Sequence, residues 1–531
     1  MFKKNMTALV ALSMLLLFLT ACGTGGRKKE VDKGSPVKVN GDAIYPVECD
    51  DTLTFWTYLS PTVSSHYNSF GDTPLAKETE KRTGIKVKYE HPTGNGEEQL
   101  QLLIASNDLP DMVGHSWNNY PGGPQMAIDE ELILNLDDLL KSYAPALNKV
   151  LAENKSWDKH VKTDKGNYYS FPFLLQEGIL QVFYGPIIRQ DWLEKTGMQS
   201  PETIDEWEQV LTAFKNECGA RAPFTGNTAG LLTSFASGFN VFPDWYLNGD
   251  TVVYGPYDPN YKNLLIKMND WYKKGLIDSD FSVITGQQIN SNLLNGKSGV
   301  LIGYAGGTIG DNMQAGKDIP GFNLEGVKYP APTKGGVAEY SRVASSVNMS
   351  AGVALSNNCK NPELAVRFLD YGFTEEGHNL FNFGIEGVSY NWENGYPKYT
   401  DLILNNPDGW SITDAMGAHM KSAYNGVMIQ DQRYIEQYYQ LPQQKNAQKI
   451  WGETNMEKHL LPQLYVDVSV MDKDSEIMAN VKTYVDEMTL RFINGAESFD
   501  KYDKYLEELK KFGIEDAIKF RQDAYKAFLK R

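Results

Sequence analysis

The 531-residue chain has only four cysteines and seven histidines, and neither set is arranged for chemistry. Cys22, Cys49, Cys218 and Cys359 are scattered, which excludes a disulfide-stapled scaffold and offers no metal-ligand spacing. His66, His91, His115, His160, His378, His419 and His459 stand far apart, without H-x-H or H-E-x-x-H. The G-x-S-x-G elbow of an α/β-hydrolase is missing. A phosphate loop is missing too: "NGKSG" (295–299) ends like one, but Ser291 stands where its first glycine belongs. "GYAGGTIG" (303–310) departs from G-x-G-x-x-G, and its glycines read as a turn that lets a ligand approach the backbone. "DKGNYYSFP" (164–172) lacks the alternating ligands of a calcium loop. No metal and no cofactor is expected.

Basic charge is short as well. Lys and Arg number 51 against 67 Asp and Glu, a net −16 that repels phosphate backbones and argues against nucleic acid. Long apolar runs are absent with one exception, "ALVALSMLLLFL" (8–19), which follows Lys3 and Lys4 and ends at "LTAC". A basic start, a short apolar core and small residues before the cut describe a signal peptide over residues 1–21. The cysteine directly after "LTA" resembles a bacterial lipobox. That resemblance implies that Cys22 is lipidated on sulfur, becomes the mature N-terminus and anchors the protein to the membrane. Residues 22–48 then read as the lipidated cysteine and a flexible tether, because Gly and charge leave too little apolar surface to fold. The roughly 480 residues that follow exceed what one core serves, so two lobes are expected.

What is present is a regular alternation. Strand "TLTFWTYL" (52–59), a helix over 73–84, strand "IKVKYE" (85–90), helix 97–107 and strand "DMVG" (111–114) spell an α/β layer with parallel pairing. Thr203 and Glu206 have capping-box spacing before the stripe Trp207, Val210, Leu211, Phe214. Asp258 and Pro259 open a helix whose stripe is Tyr261, Leu264, Leu265, Met268 and Trp271, and Gly275 stops it. Asn361 and Pro362 open another, with Leu364, Phe368 and Leu369 facing inward. The chain ends in helices over 491–531, expected to pack on the body. Against this order, "FNFGIEGVSYNWENGYPKYTD" (381–401) crowds rings and carboxylates into a stretch that fits neither helix nor strand. It suits a site that cleaves a sugar or one that only holds it.

Several runs carry a resemblance. "LQLLIASNDLPDMV" (100–113), the acidic "NLDDLLKSYAPAL" (135–147), "IRQDWLEKTG" (188–197), "CKNPELAVRFLDYGFTEEG" (359–377) and "FGIEGVSYNWENGYPKYTD" (383–401) resemble, in order, family 1 extracellular solute-binding proteins. The long lipoprotein subgroup, related to alginate-oligosaccharide binders, is the most similar. The resemblance implies an α/β, periplasmic-binding-protein-like (type II) fold: two lobes, a hinge, and a ligand cleft between them. It places 49–165 plus about 325–400 in one lobe and about 166–324 plus 401–490 in the other. It implies an oligosaccharide as ligand, an ABC importer whose permease subunits and ATPase are separate chains, and a monomer at the extracellular face of the cell membrane. The alginate binders carry a calcium loop before the strand near Phe171, which this sequence lacks.

A pyranose has an apolar CH face and a rim of hydroxyls, so loop aromatics and planar polar groups recognise it. The candidates are Trp56, Trp117, Tyr184, Arg189, Tyr304, Glu386, Tyr390, Trp392 and Trp410, with Arg342 able to pair a uronate carboxylate. Trp117, Tyr304 and Glu386 lead, and the 381–401 loop is expected to line the cleft. Two rivals remain: an oligopeptide-binding lipoprotein, and a secreted glycosidase using Glu386 with Glu393 or Asp401.

Overall fold

A computed structural model describes residues 34–40, 43–176, 178–421 and 426–531. The expected signal peptide and the expected lipidation site, Cys22, lie outside the described residues. The expected alternation is present: strands Thr52–Trp56, Lys86–Glu90 and Met112–Gly114 enclose helices Pro74–Thr83 and Gly96–Ser106. Thr52–Trp56 runs parallel to both other strands. The sheet is completed by Val347–Leu355, antiparallel to Met112–Gly114 and to Phe171–Leu175, and by Met428–Gln430 at the edge, giving six strands. Phe171–Leu175 and Met428–Gln430 come from segments expected in the other lobe. A strand with every residue buried, as Phe171–Leu175 is, needs cover on both faces, and the middle of this sheet supplies it.

A smaller antiparallel sheet has Tyr184–Arg189 between Val300–Tyr304 and Leu324–Gly326. Each sheet has its own core. Met112, Trp117, Phe171 and Leu364 pack beneath the first; Trp207, Phe214, Leu264 and Trp271 pack beside the second. A third cluster joins them through Phe173, Leu175, Ile187, Leu301, Tyr434 and Trp451. Gly185 is needed there, since a Cβ would stand 2.5 Å from the Trp451 ring, whose Nε1 donates to the Pro186 carbonyl at 3.0 Å.

The helices form where their signals stand. Thr203 accepts from the Glu206 N–H at 3.3 Å and Asp258 from Asn260 at 2.7 Å, while Asn361 caps Leu364 at 3.2 Å. Their stripes are buried as expected. Fully burying each large side chain contributes about 1.5–3 kcal/mol. The last helices, Val468–Asn494, Tyr502–Phe512 and Ile514–Lys530, pack on the core of the smaller sheet through Val481, Phe492, Tyr505 and Ala517.

The tether is shorter than composition implies. Lys38–Asn40 and Ala43–Glu48 pair antiparallel, Val47 enters the core, and the Tyr45 hydroxyl donates to the Arg367 carbonyl at 2.5 Å. Ser35 donates twice to Asp51, each at 2.7 Å. The apolar alternation of "VKV" and "AIYPV" outweighs the flanking charge.

Candidate ligand-binding cleft

Between the two sheets lies a cavity of about 520 Å³. One wall is strand residues Phe173, Leu175 and Asn348 of the larger sheet; the opposite side carries Phe183, which leads into the smaller sheet. Helix Gln432–Tyr438 contributes Tyr434 and Tyr438, spaced i, i+4 and so on one face. Leu461–Gln463 closes the far side, and His160 stands at the end of helix Lys155–His160. A second cavity of about 290 Å³ opens at the carboxyl ends of Thr52–Trp56 and Met112–Gly114, lined by Thr57, Tyr58, Gly114 and Lys421. Ser350 lines both, so the two cavities meet along the sheet. Ligands of such sheets sit at these strand ends.

The polar lining is held by neighbours. Asn118 Oδ1 accepts from the Tyr465 hydroxyl at 2.8 Å and the Tyr169 hydroxyl at 2.9 Å. Asn348 Oδ1 accepts from the Ala351 N–H at 3.2 Å. Among the described residues neither amide nitrogen has a protein partner, so both donors are left for the cavity. His160 Nδ1 meets the Ser156 carbonyl at 2.7 Å. That carbonyl only accepts, so Nδ1 carries the proton and Nε2 is an acceptor. Burial lowers the His160 pKa, nearby Lys159 and Arg531 act in the same direction, and the Ser156 hydrogen bond opposes them.

Tyr304, Tyr184 and Arg342, three of the sequence candidates, meet one another beside the lining residue Phe183, and none of them lines the cavity itself. Tyr304 is 46% exposed, lies parallel to Phe183 (centroids 6.0 Å, 12° between planes) and edge-on to Tyr184 at 4.8 Å. The Arg342 guanidinium covers the Tyr184 ring at 4.7 Å. Burial raises the Tyr184 pKa and Arg342 partly offsets this.

The other candidates lie elsewhere. Trp117 and Trp56 are buried in the core of the larger sheet. Arg189 is buried between Trp192 and Phe322 and forks onto Asp191 at 2.7 and 2.5 Å. Trp410 stacks on His66 at 3.9 Å, away from both cavities.

The 381–401 stretch is regular after all. Helix Glu375–Phe383 leads to a hairpin, Tyr390–Glu393 against Tyr396–Tyr399, turning through Asn394 (φ 54°) and Gly395 (φ 79°). That is the Asn-Gly two-residue turn whose twist matches paired strands. Tyr390 is buried, Trp392 is 39% exposed beside Tyr390, and Glu386 and Glu393 are exposed, the latter paired with Lys398 at 2.9 Å. The hairpin packs behind the cavity wall: Tyr396 donates to Glu436 at 2.9 Å and Gln437 to the Pro397 carbonyl at 2.8 Å. Asn118, Asn348, His160, Phe183, Tyr434 and Tyr438 are the lining residues that pattern reading passes over. Only the i, i+4 tyrosines left a sequence signal.

Lys421 lines the smaller cavity with its amine 3.9 Å over the Phe381 ring, and burial brings its pKa down to about 8. Among the described residues no cluster of His, Cys, Asp and Glu could hold a metal. No described helix is long and apolar enough to cross a membrane.

Comparison with known proteins agrees with this architecture. The fructooligosaccharide ABC transporter substrate-binding protein FusA of Streptococcus pneumoniae serotype 4 is 25% identical over 99% of this chain and 98% of its own. The polygalacturonan/rhamnogalacturonan-binding protein YtcQ of Bacillus subtilis is 25% identical over 59% of this chain and 63% of its own. Among solved structures, alginate-binding protein AlgQ2 superposes with a TM-score of 0.71 at 23% identity, covering 90% of this chain and 98% of that one. FusA in complex with kestose gives 0.72 at 21%, covering 90% and 99%. The fold is therefore α/β, periplasmic-binding-protein-like of type II, two lobes with a cleft between. Residues 71–379 match the profile of the bacterial extracellular solute-binding proteins, and the chain belongs to that family.

Proposed function

We propose that the protein is a lipid-anchored carbohydrate receptor that closes on an oligosaccharide and hands it to the permease subunits of an ABC importer. The carrying observation is the cavity lining: rings, amides, hydroxyls and one imidazole, without a carboxylate among the described lining residues. Rings stack on a sugar's CH face and amides read its hydroxyls. A glycosidase needs two carboxylates flanking the bond it breaks, and neither Glu386, ahead of the hairpin, nor Glu393, on it, lines the cavity. The reading is thus of binding without turnover. FusA and YtcQ, whose names state sugar ligands, support it.

The apolar leader and the cysteine after "LTA" support cleavage before Cys22 and its lipidation, and the receptor we propose is a monomer held by that lipid at the outer face of the membrane. The lobe division we propose follows the sheets, with the chain crossing between them near 176–183 and 327–346. The test is thermal unfolding of the protein lacking residues 1–22 against oligosaccharides and short peptides. A ligand at a hundred times its Kd adds about 2.7 kcal/mol of stability. A shift with a glycan that is not consumed is expected. A shift with peptides alone, or shortening of the glycan, overturns the reading.

A further inference from the structure

We propose that the ligand is an uncharged oligosaccharide, and that this cleft selects against uronates and other anionic glycans. The inference rests on the carbohydrate reading above and names the substrate class of the same cavity.

A carboxylate leaving water for an enclosed site needs a cation or several converging donors to offset its lost hydration. The larger cavity has no lysine or arginine among its described lining residues, and the sequence places none at 177 or 422–425. The cations around it are engaged elsewhere. Lys159 donates to the Leu529 carbonyl at 3.2 Å, Arg531 to the carbonyls of Lys162 and Thr163 at 3.1 and 2.8 Å, Lys162 pairs with Asp158 at 2.8 Å, and Arg433 with Asp431 at 2.6 Å. His160, the one titratable base in the lining, is held neutral by burial, and with Nδ1 on the Ser156 carbonyl its Nε2 is an acceptor, not a cation.

An acceptor in the lining repels a carboxylate and welcomes a hydroxyl. The amide nitrogens of Asn118 and Asn348 supply the complementary donors, fixed because their oxygens are already bonded. Donors and an acceptor around an apolar floor match a sugar hydroxyl, which gives and receives one hydrogen bond, better than a group that only receives. Two further cations stand outside the larger cavity: Arg342, stacked on Tyr184, and Lys421 in the smaller cavity. They are where an anionic ligand would have to be read, so they define the test.

Thermal shift and calorimetric titration would compare neutral fructo-, galacto-, manno- and xylo-oligosaccharides with oligogalacturonates and alginate oligomers. The wild-type chain, Arg342→Ala and Lys421→Met would be measured at low and high salt. The expected result is binding of a neutral glycan, unchanged within about threefold by salt, and weakened at least tenfold by Asn348→Asp, which keeps shape and replaces a donor with a negative acceptor. A Gln substitution for His160 provides a second variant should Asn348→Asp fail to fold; it is expected to retain measurable binding with altered selectivity among neutral sugars. Binding of a uronate that falls with salt and is lost in Arg342→Ala or Lys421→Met overturns the uncharged class while the carbohydrate reading stands. Binding of no glycan in the panel, or of peptides alone, overturns both.

Discussion

Trp117 fills the core beneath the larger sheet, fully buried, its ring edge-on to His115 at 5.7 Å and its Nε1 without a hydrogen-bond partner among the described residues. Tyr304 lies parallel to the lining residue Phe183 with nearly half its surface in solvent. Truncating each therefore acts on a different quantity. Trp117→Ala opens a cavity and is expected to cost about 3–5 kcal/mol of stability. Tyr304→Ala removes little core contact and is expected to leave the denaturation midpoint nearly unchanged while weakening glycan binding by roughly 1–3 kcal/mol. Chemical denaturation and calorimetry on the same two variants separate them; a stable Trp117→Ala or an unaltered affinity in Tyr304→Ala would contradict the assignment. Both residues follow a strand in the sequence, and both read as loop aromatics. The difference lies in a short turn, Trp117–Asn119, that folds the indole inward and sends its neighbour Asn118 to the cavity. Sequence shows which residues sit in a loop but not which way the loop points them, and it gives no sign that Asn118 in a turn, Asn348 on a strand and His160 at a helix end share one cavity.

Helix Gln432–Tyr438 is the element on which the cavity wall depends, and Asp431 starts it. Its carboxylate accepts from the Arg433 N–H at 2.8 Å as a cap, pairs with the Arg433 guanidinium and meets His378 Nε2 at 3.1 Å. Burial alone would raise the Asp431 pKa, but the hydrogen bonds from His378 and Arg433 outweigh it and hold the group well below the usual carboxylate range. The sign follows from the lower folded value. Asp431 contributes stability in full above its unfolded pKa of about 3.9, and the contribution is lost as pH falls toward the folded value. Asp431→Asn is expected to lower stability by roughly 1–3 kcal/mol at pH 7, with the gap to wild type closing below pH 4, measured by urea unfolding across pH. A gap that does not narrow as pH falls from 5 to 2 would assign the effect to packing. The helices themselves were readable because caps and stripes are local: Asp258, Thr203 and Asn361 each announce a helix within four residues. The hairpin behind this wall was equally local in its Asn394-Gly395 turn, yet the density of rings around it reads as a binding loop. The larger sheet's membership was not readable, because Met428–Gln430 pairs with a strand more than 250 residues away, and three residues carry no pattern of their own.

Across the whole molecule, the last helix ties the two sheets together. Its first turns, through Ile514 and Ala517, belong to the core of the smaller sheet, and Tyr525 packs with Leu247 and Val252. Its end reaches the helix below the larger sheet: Phe528 lies 5.0 Å edge-on to His160, Lys159 sits 4.3 Å over the Phe528 ring, and Arg531 donates to two carbonyls there. Contacts that join two lobes favour arrangements in which both ends are engaged, and a ligand that needs such an arrangement binds more weakly when it is less populated. Phe528→Ala combined with Arg531→Ala removes the ring and guanidinium contacts at one end, leaving the Lys159 bond to the Leu529 carbonyl, while the other end remains packed. The ligand-free form is expected to show a larger radius of gyration by small-angle scattering, and the glycan to bind about 5- to 30-fold more weakly, since ligand must then supply roughly 1–2 kcal/mol of closure. With saturating glycan the radius should return to the wild-type value. Equal radii and equal affinities would mean that the helix packs on both sheets without biasing the angle between them, and that the hinge alone sets how far the cleft opens.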